Sequence, residues 1–165
     1  MNSDYNEWYA NHRKKVEAFW GNANVRDEDK LSYLVGLIQD ARNENDRDQI
    51  ELLVDAAFEI ENESTRVSVL NNLLLIDGHH GHQEITKELQ DIGHPSTVAF
   101  IEKALKLGFS RFKYTCSEPE VIAKWFSHAL VSIGTKEAIA LIEEYANSSD
   151  EGISSEMKYR LDKIK

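Results

Sequence analysis

The chain has 165 residues, with 19 Lys plus Arg set against 29 Asp plus Glu and a formal net charge of −10. At 41% hydrophobic and 29% charged it has the composition of a globular protein, which excludes wholesale disorder. Its longest apolar run, from Ala138 to Ile142, is far short of the roughly 20 residues that cross a bilayer. Nucleic-acid binding depends on Lys and Arg displacing counterions, so the acidic balance argues against nucleic acid and for a basic protein as partner. The first seven residues lack the basic start and apolar run of a secretory signal, and Cys116 is the only cysteine. The expectation is a cytoplasmic, disulfide-free single domain over residues 1–165, with no membrane or cofactor partner.

Apolar spacing is helical almost throughout. Tyr5, Trp8, Tyr9, Val16, Phe19 and Trp20 share one face of a first helix, then Leu31, Leu34, Val35 and Ile38 of a second, and Ile50, Leu53, Val54 and Ala57 of a third. Val67, Leu70 and Leu74 continue the pattern, followed by Ile85, Leu89 and Ile92, by Val98, Ile101 and Leu105, and by Ile122, Trp125, Ala129 and Ile133. Ile139, Ile142 and Ala146, then Ile153, Met157, Leu161 and Ile164, complete about nine helices with no convincing strand. Asp46 to Gln49, Ser117 to Glu120 and Ser148 to Glu151 have capping-box spacing. Pro95 and Pro119 suit first helical turns, and Gly93 and Gly134 suit the left-handed residue that ends a helix.

Residues 89–102 can be laid on residues 130–143 without a gap, at an offset of 41. That period lies in the range of paired-helix repeats of the HEAT and armadillo type. An amphipathic helix pair cannot bury both apolar faces alone, so it stacks on its neighbours. The fold expected is an all-α, HEAT-like α-solenoid of antiparallel helix pairs, with an irregular helical bundle as the alternative.

Leu130-Val131-Ser132-Ile133-Gly134-Thr135-Lys136-Glu137-Ala138 is similar to the Ile-Gly-Thr-x-Glu-Ala junction of bacterial HEAT-like repeat proteins. The stretch from Leu73 through His79-His80-Gly81-His82-Gln83-Glu84-Ile85 and Leu89-Gln90 to Lys124-Trp125 and Ala129-Leu130 resembles small HEAT-like immunity proteins of polymorphic-toxin systems. This resemblance covers roughly residues 70–164 and not the first 60. It implies a chain that neutralises a cognate toxin by covering its active or substrate-binding surface, and a basic nuclease would suit the charge. A general HEAT-repeat scaffold or adaptor is the alternative. A glycosylase built on HEAT-like repeats is disfavoured, because it would need a basic surface for duplex DNA.

Residues 40–63 hold nine carboxylates against two arginines, a net −7. Among them Asp48, Glu51, Asp55 and Glu59 recur at helical spacing, opposite Ile50, Leu53, Val54 and Ala57. Such a row either docks a basic partner or is a solvated face. The turn containing His79, His80 and His82 lacks the spaced ligand pairs of zinc motifs, so no metal is assigned; it reads as a polar helix-to-helix turn bonding local backbone, or as a recognition loop. In the non-periodic stretch 109–117, Phe109 and Phe112 are expected to plug the core, with Tyr114 at the surface as a binding candidate. Glu143 and Glu144, with Glu102 and Lys103 as further candidates, belong to second helices of the pairs, which line the concave face of a solenoid. His128, Trp8, Trp20 and Trp125 are expected to pack. No nucleophile motif, phosphate loop or metalloprotease signature occurs, so no catalytic residue is assigned and the chain is not read as an enzyme.

Overall fold

Where the helices start and stop is set by local side-chain chemistry. The computed structural model describes residues 3–164, and these form nine α-helices with no strand among them. They are α1 (Ser3–Ala23), α2 (Lys30–Asn43), α3 (Arg47–Phe58), α4 (Glu63–Leu73), α5 (His82–Ile92), α6 (Thr97–Leu107), α7 (Pro119–Ile133), α8 (Lys136–Tyr145) and α9 (Glu151–Ile164), with 3-10 turns at Asp27–Asp29 and Ser110–Thr115. Asp46 Oδ1 accepts from the Gln49 amide at 3.0 Å, capping α3 as its spacing predicts. The other two expected caps are displaced. Ser117 does not cap α7, which begins from extended Glu118 with Pro119 at its first position. Ser148 accepts from the Asp150 amide only two residues on, and Asp150 Oδ1 takes the Ile153 amide of α9. Pro95 lies in the turn just ahead of α6.

The helices gather into two compact units, one up to Leu70 and one from Asn71 onward, the division falling inside α4. In the first unit α3 packs on both α1 and α2, burying Val16, Leu34, Ile38, Leu53, Val54 and Ala57. Trp20 Nε1 donates to the Ala56 carbonyl at 2.7 Å, tying α1 to α3. The apolar face expected along α1 is only half used. At 1.5 Å per residue its 21 residues run roughly 31 Å, against roughly 18 Å for the 12 of α3. The shorter helix therefore leaves the head of α1 uncovered: Tyr5, Trp8 and Tyr9 are 60%, 50% and 51% exposed.

In the second unit α7 packs against α5, α6, α8 and α9, while α8 packs against α6 and α9. Gly93 and Gly134, 41 positions apart, end α5 and α7 with φ of 67° and 66°, a left-handed conformation that other residues adopt at a cost. Each donates its amide to the carbonyl four residues back, Leu89 and Leu130. Ser132 Oγ donates to the Gln90 carbonyl at 2.6 Å, joining the ends of the two helices. Phe112 fills the interior against Phe109, Trp125 and Phe126. Among the described residues the buried polar side chains, Asn71, His79, His82, Thr86, Thr97, Ser127, Ser154 and Glu156, all belong to this unit. No helix of the described residues is long and apolar enough to cross a membrane.

Candidate protein-binding site

Helical spacing brings Asp48, Glu51, Asp55 and Glu59 along one flank of α3, and the structure shows that α1 reaches much of that flank. Asp48, in the first turn, is exposed, whereas Glu51, Asp55 and Glu59 are half-buried. His12 Nε2 donates to Asp55 Oδ2 at 2.7 Å. Arg13 Nη2 donates to Glu59 Oε1 at 3.0 Å and to Glu17 Oε1 at 3.2 Å. The later half of the acidic row is thus spent holding α1 and α3 together, and Asp48 is its exposed member. Periodicity shows which carboxylates share a face but not which neighbour supplies cations to it.

Above this seam lies a groove of about 290 Å³ between α1 and α3, lined by Trp8, His12, Lys15, Asp48, Gln49 and Leu52 among others. Its rim carries a ladder of rings on successive turns of α1. Tyr5 lies 6.2 Å from Trp8 and 6.4 Å from Tyr9, and Trp8 stacks on His12 at 5.2 Å and 16°. Exposed Tyr and Trp bring large contact area with little rotamer entropy to lose, which is why they anchor protein interfaces. The expectation that Trp8 packs in the core fails because its helix outruns its neighbour. A signal was present: residues 11–15, Asn-His-Arg-Lys-Lys, interrupt the apolar face between Tyr9 and Val16.

The chain matches no family model, no curated protein and no solved structure.

The histidine turn is closed. His79 Nε2 donates to the Leu73 carbonyl at 2.9 Å, while its Nδ1 accepts from the Gly81 amide at 3.1 Å. His82 Nε2 donates to the Ile76 carbonyl at 2.9 Å. The Tyr114 hydroxyl accepts from the His82 amide and donates to His82 Nδ1, both at 3.1 Å. Burial, then the neighbouring His79, with smaller contributions from Arg111 and His80 and against the pull of the Ile76 carbonyl, pushes the His82 imidazole down to about 3. Lone pairs engaged in this way are not offered to a metal ion. His80 is exposed and lies against Tyr114, ring centroids 4.7 Å apart. Tyr114 clasps the turn from the 3-10 segment, 32 positions from His82.

Glu143 and Glu144 are exposed near the end of α8, Glu102 pairs with Lys106, and Lys103 sits over the ring of Phe100. These four residues belong to the second unit, whereas the acidic row belongs to the first.

Proposed function

We propose that this chain is a protein-binding helical-repeat module that captures a basic protein on the α1–α3 surface. The observation that carries the reading is Trp8, half exposed within a ladder of tyrosines and bordering a groove that Asp48 also lines. Aromatic faces supply the buried area on which affinity rests, and the surplus negative charge speeds encounter with a cationic surface and sets its register. We read the second unit as HEAT-like stacked hairpins. The contacts of α5 with α7, α6 with α8 and α7 with α9, together with the matching left-handed ends of α5 and α7, support that reading. The resemblance of residues 70–164 to small immunity proteins makes the sharper version a toxin neutraliser, whose basic target is silenced when its working surface is covered.

The test is capture on the immobilised chain from the source cell, followed by identification of the captured protein and assay of its activity. A basic protein, inhibited in proportion to added chain and lost with Trp8→Ala and with Asp48→Lys but retained with Glu144→Lys, supports the reading. Capture indifferent to Trp8 and Asp48 rejects the α1–α3 surface, and a captured protein whose activity is untouched rejects neutralisation.

A further inference from the structure

A second groove, of about 220 Å³, runs between α5 and α7 of the second unit. Trp125 and Thr86 contribute to its lining, flanked by Lys87, Lys124 and His128 and by the carboxamides of Gln83 and Gln90. In a chain with 29 Asp plus Glu, this lining contains no carboxylate. Lys87 pairs with Asp91 on its own helix, and Lys124 has no ion pair among the described residues.

Behind the groove stands a costly arrangement. Glu156 and Arg160 of α9 are almost fully buried as an ion pair, Nη2 to Oε1 at 2.7 Å, and the Ser127 hydroxyl donates to the same carboxylate oxygen at 2.6 Å. Apolar side chains would fill such a space at no electrostatic cost. The pair instead aims a guanidinium N–H at His128: Arg160 Nη2 donates to His128 Nε2 at 2.9 Å. That bond occupies the lone pair of Nε2 and leaves the Nδ1 proton as the donor the ring offers. Trp125 is likewise fixed from behind, edge-on to buried Phe112 at 6.1 Å. Residues lining the groove are therefore held by others that do not line it, as a preorganised binding site requires.

We infer that the α5–α7 groove binds an acidic peptide segment of a protein partner, with a carboxylate seated between Lys87, Lys124 and His128 and an adjoining apolar side chain lying on Trp125. A peptide is favoured over a free metabolite because the groove is smaller than the roughly 300–1,000 Å³ of sites that enclose small molecules, so it suits one or two side chains of a longer segment. This site is independent of the α1–α3 groove, whose lining includes Asp46 and Asp48 as well as Lys15.

The test is titration of the full chain, with its three tryptophans, followed by the indole N–H signals in two-dimensional NMR and assigned by single Trp→Phe variants. The probes are the capped peptides Glu-Glu-Leu-Glu-Glu and Gln-Gln-Leu-Gln-Gln, and benzoate. The inference expects saturable movement of the Trp125 signal with the glutamate peptide alone. Affinity should fall about tenfold in Lys124→Glu, and should weaken as salt rises from about 50 to about 300 mM. Lys87→Glu should act the same way, and both residues lie at the surface, so an unchanged urea midpoint and far-ultraviolet circular dichroism in each variant report an intact second unit. No saturable shift, equal shifts with the glutamine peptide, movement centred on Trp8, or unchanged affinity in Lys124→Glu would overturn the peptide site; equal binding of benzoate would overturn it in favour of a small-molecule site.

Discussion

The imidazoles of His79 and His82 lie face to face, ring centroids 3.9 Å apart and 19° from parallel. Burial is the main force against a charge on His82, and the stacked His79 ring adds to it, with smaller contributions from Arg111 and His80. Because the folded-state value of His82, about 3, lies below its ordinary 6.5, the unfolded chain binds more protons between those limits. Stability from this residue is therefore full above pH 6.5 and is lost as pH falls, at up to about 1.4 kcal/mol per pH unit. Urea midpoints at pH 7, 6 and 5 should show the loss beginning before most carboxylates titrate. His82→Gln should be less stable at pH 7 and flatter across the series; an unchanged slope would mean that other groups carry it.

Asp48 and Asp55 should part company when neutralised. Asp55→Ala removes the acceptor of the His12 bond that joins α3 to α1, and the loss of this partly exposed pair should cost about 0.5–1 kcal/mol. Asp48→Asn should leave stability within about 0.5 kcal/mol, as for other surface positions, and change only association with a basic partner. Paired denaturation and binding measurements separate the two effects.

Within the second unit, Glu156→Gln leaves the buried Arg160 charge without its carboxylate and should cost about 3 kcal/mol. Replacing both Glu156 and Arg160 with Met removes the charge as well as its partner and should recover most of that loss, while freeing the His128 ring. A double-mutant cycle by urea denaturation reads the coupling; additive losses would show that the pair is not acting as a unit.

Ala in place of Gly93 or Gly134 should cost about 1 kcal/mol each, since both backbones are left-handed. Asn should be tolerated better at both, as it is at other helix ends. A thermal shift of roughly 2–4 °C per Ala substitution is the expected reading for a chain of this size.

What was legible in the sequence follows from how local each cause is. Gly93, Gly134 and Asp46 act within their own turns, and all three play the parts their spacing assigns. Ser117 and Ser148 show the limit of spacing, because Pro119 and Asp150, in the same turns, offered a better start. The acidic row was found but not its pairing, since His12 and Arg13 sit more than 40 positions from Asp55 and Glu59. Nothing near His82 announces that Tyr114 will close on it, and nothing near His128 announces Arg160. Trp8 looked like core because periodicity ignores the length of the partner helix.

That difference in length carries a further consequence. Every side chain from Asp4 to Asn11 is exposed, so the head of α1 buries little apolar surface, and such short stretches of helix are marginal in water. Its amide hydrogens should trade with solvent deuterium quickly in the isolated chain and become guarded once a visitor covers the rings. Part of the energy of complex formation then goes into ordering those turns, and calorimetry should record it as a larger drop in heat capacity than the rigid surfaces alone would give.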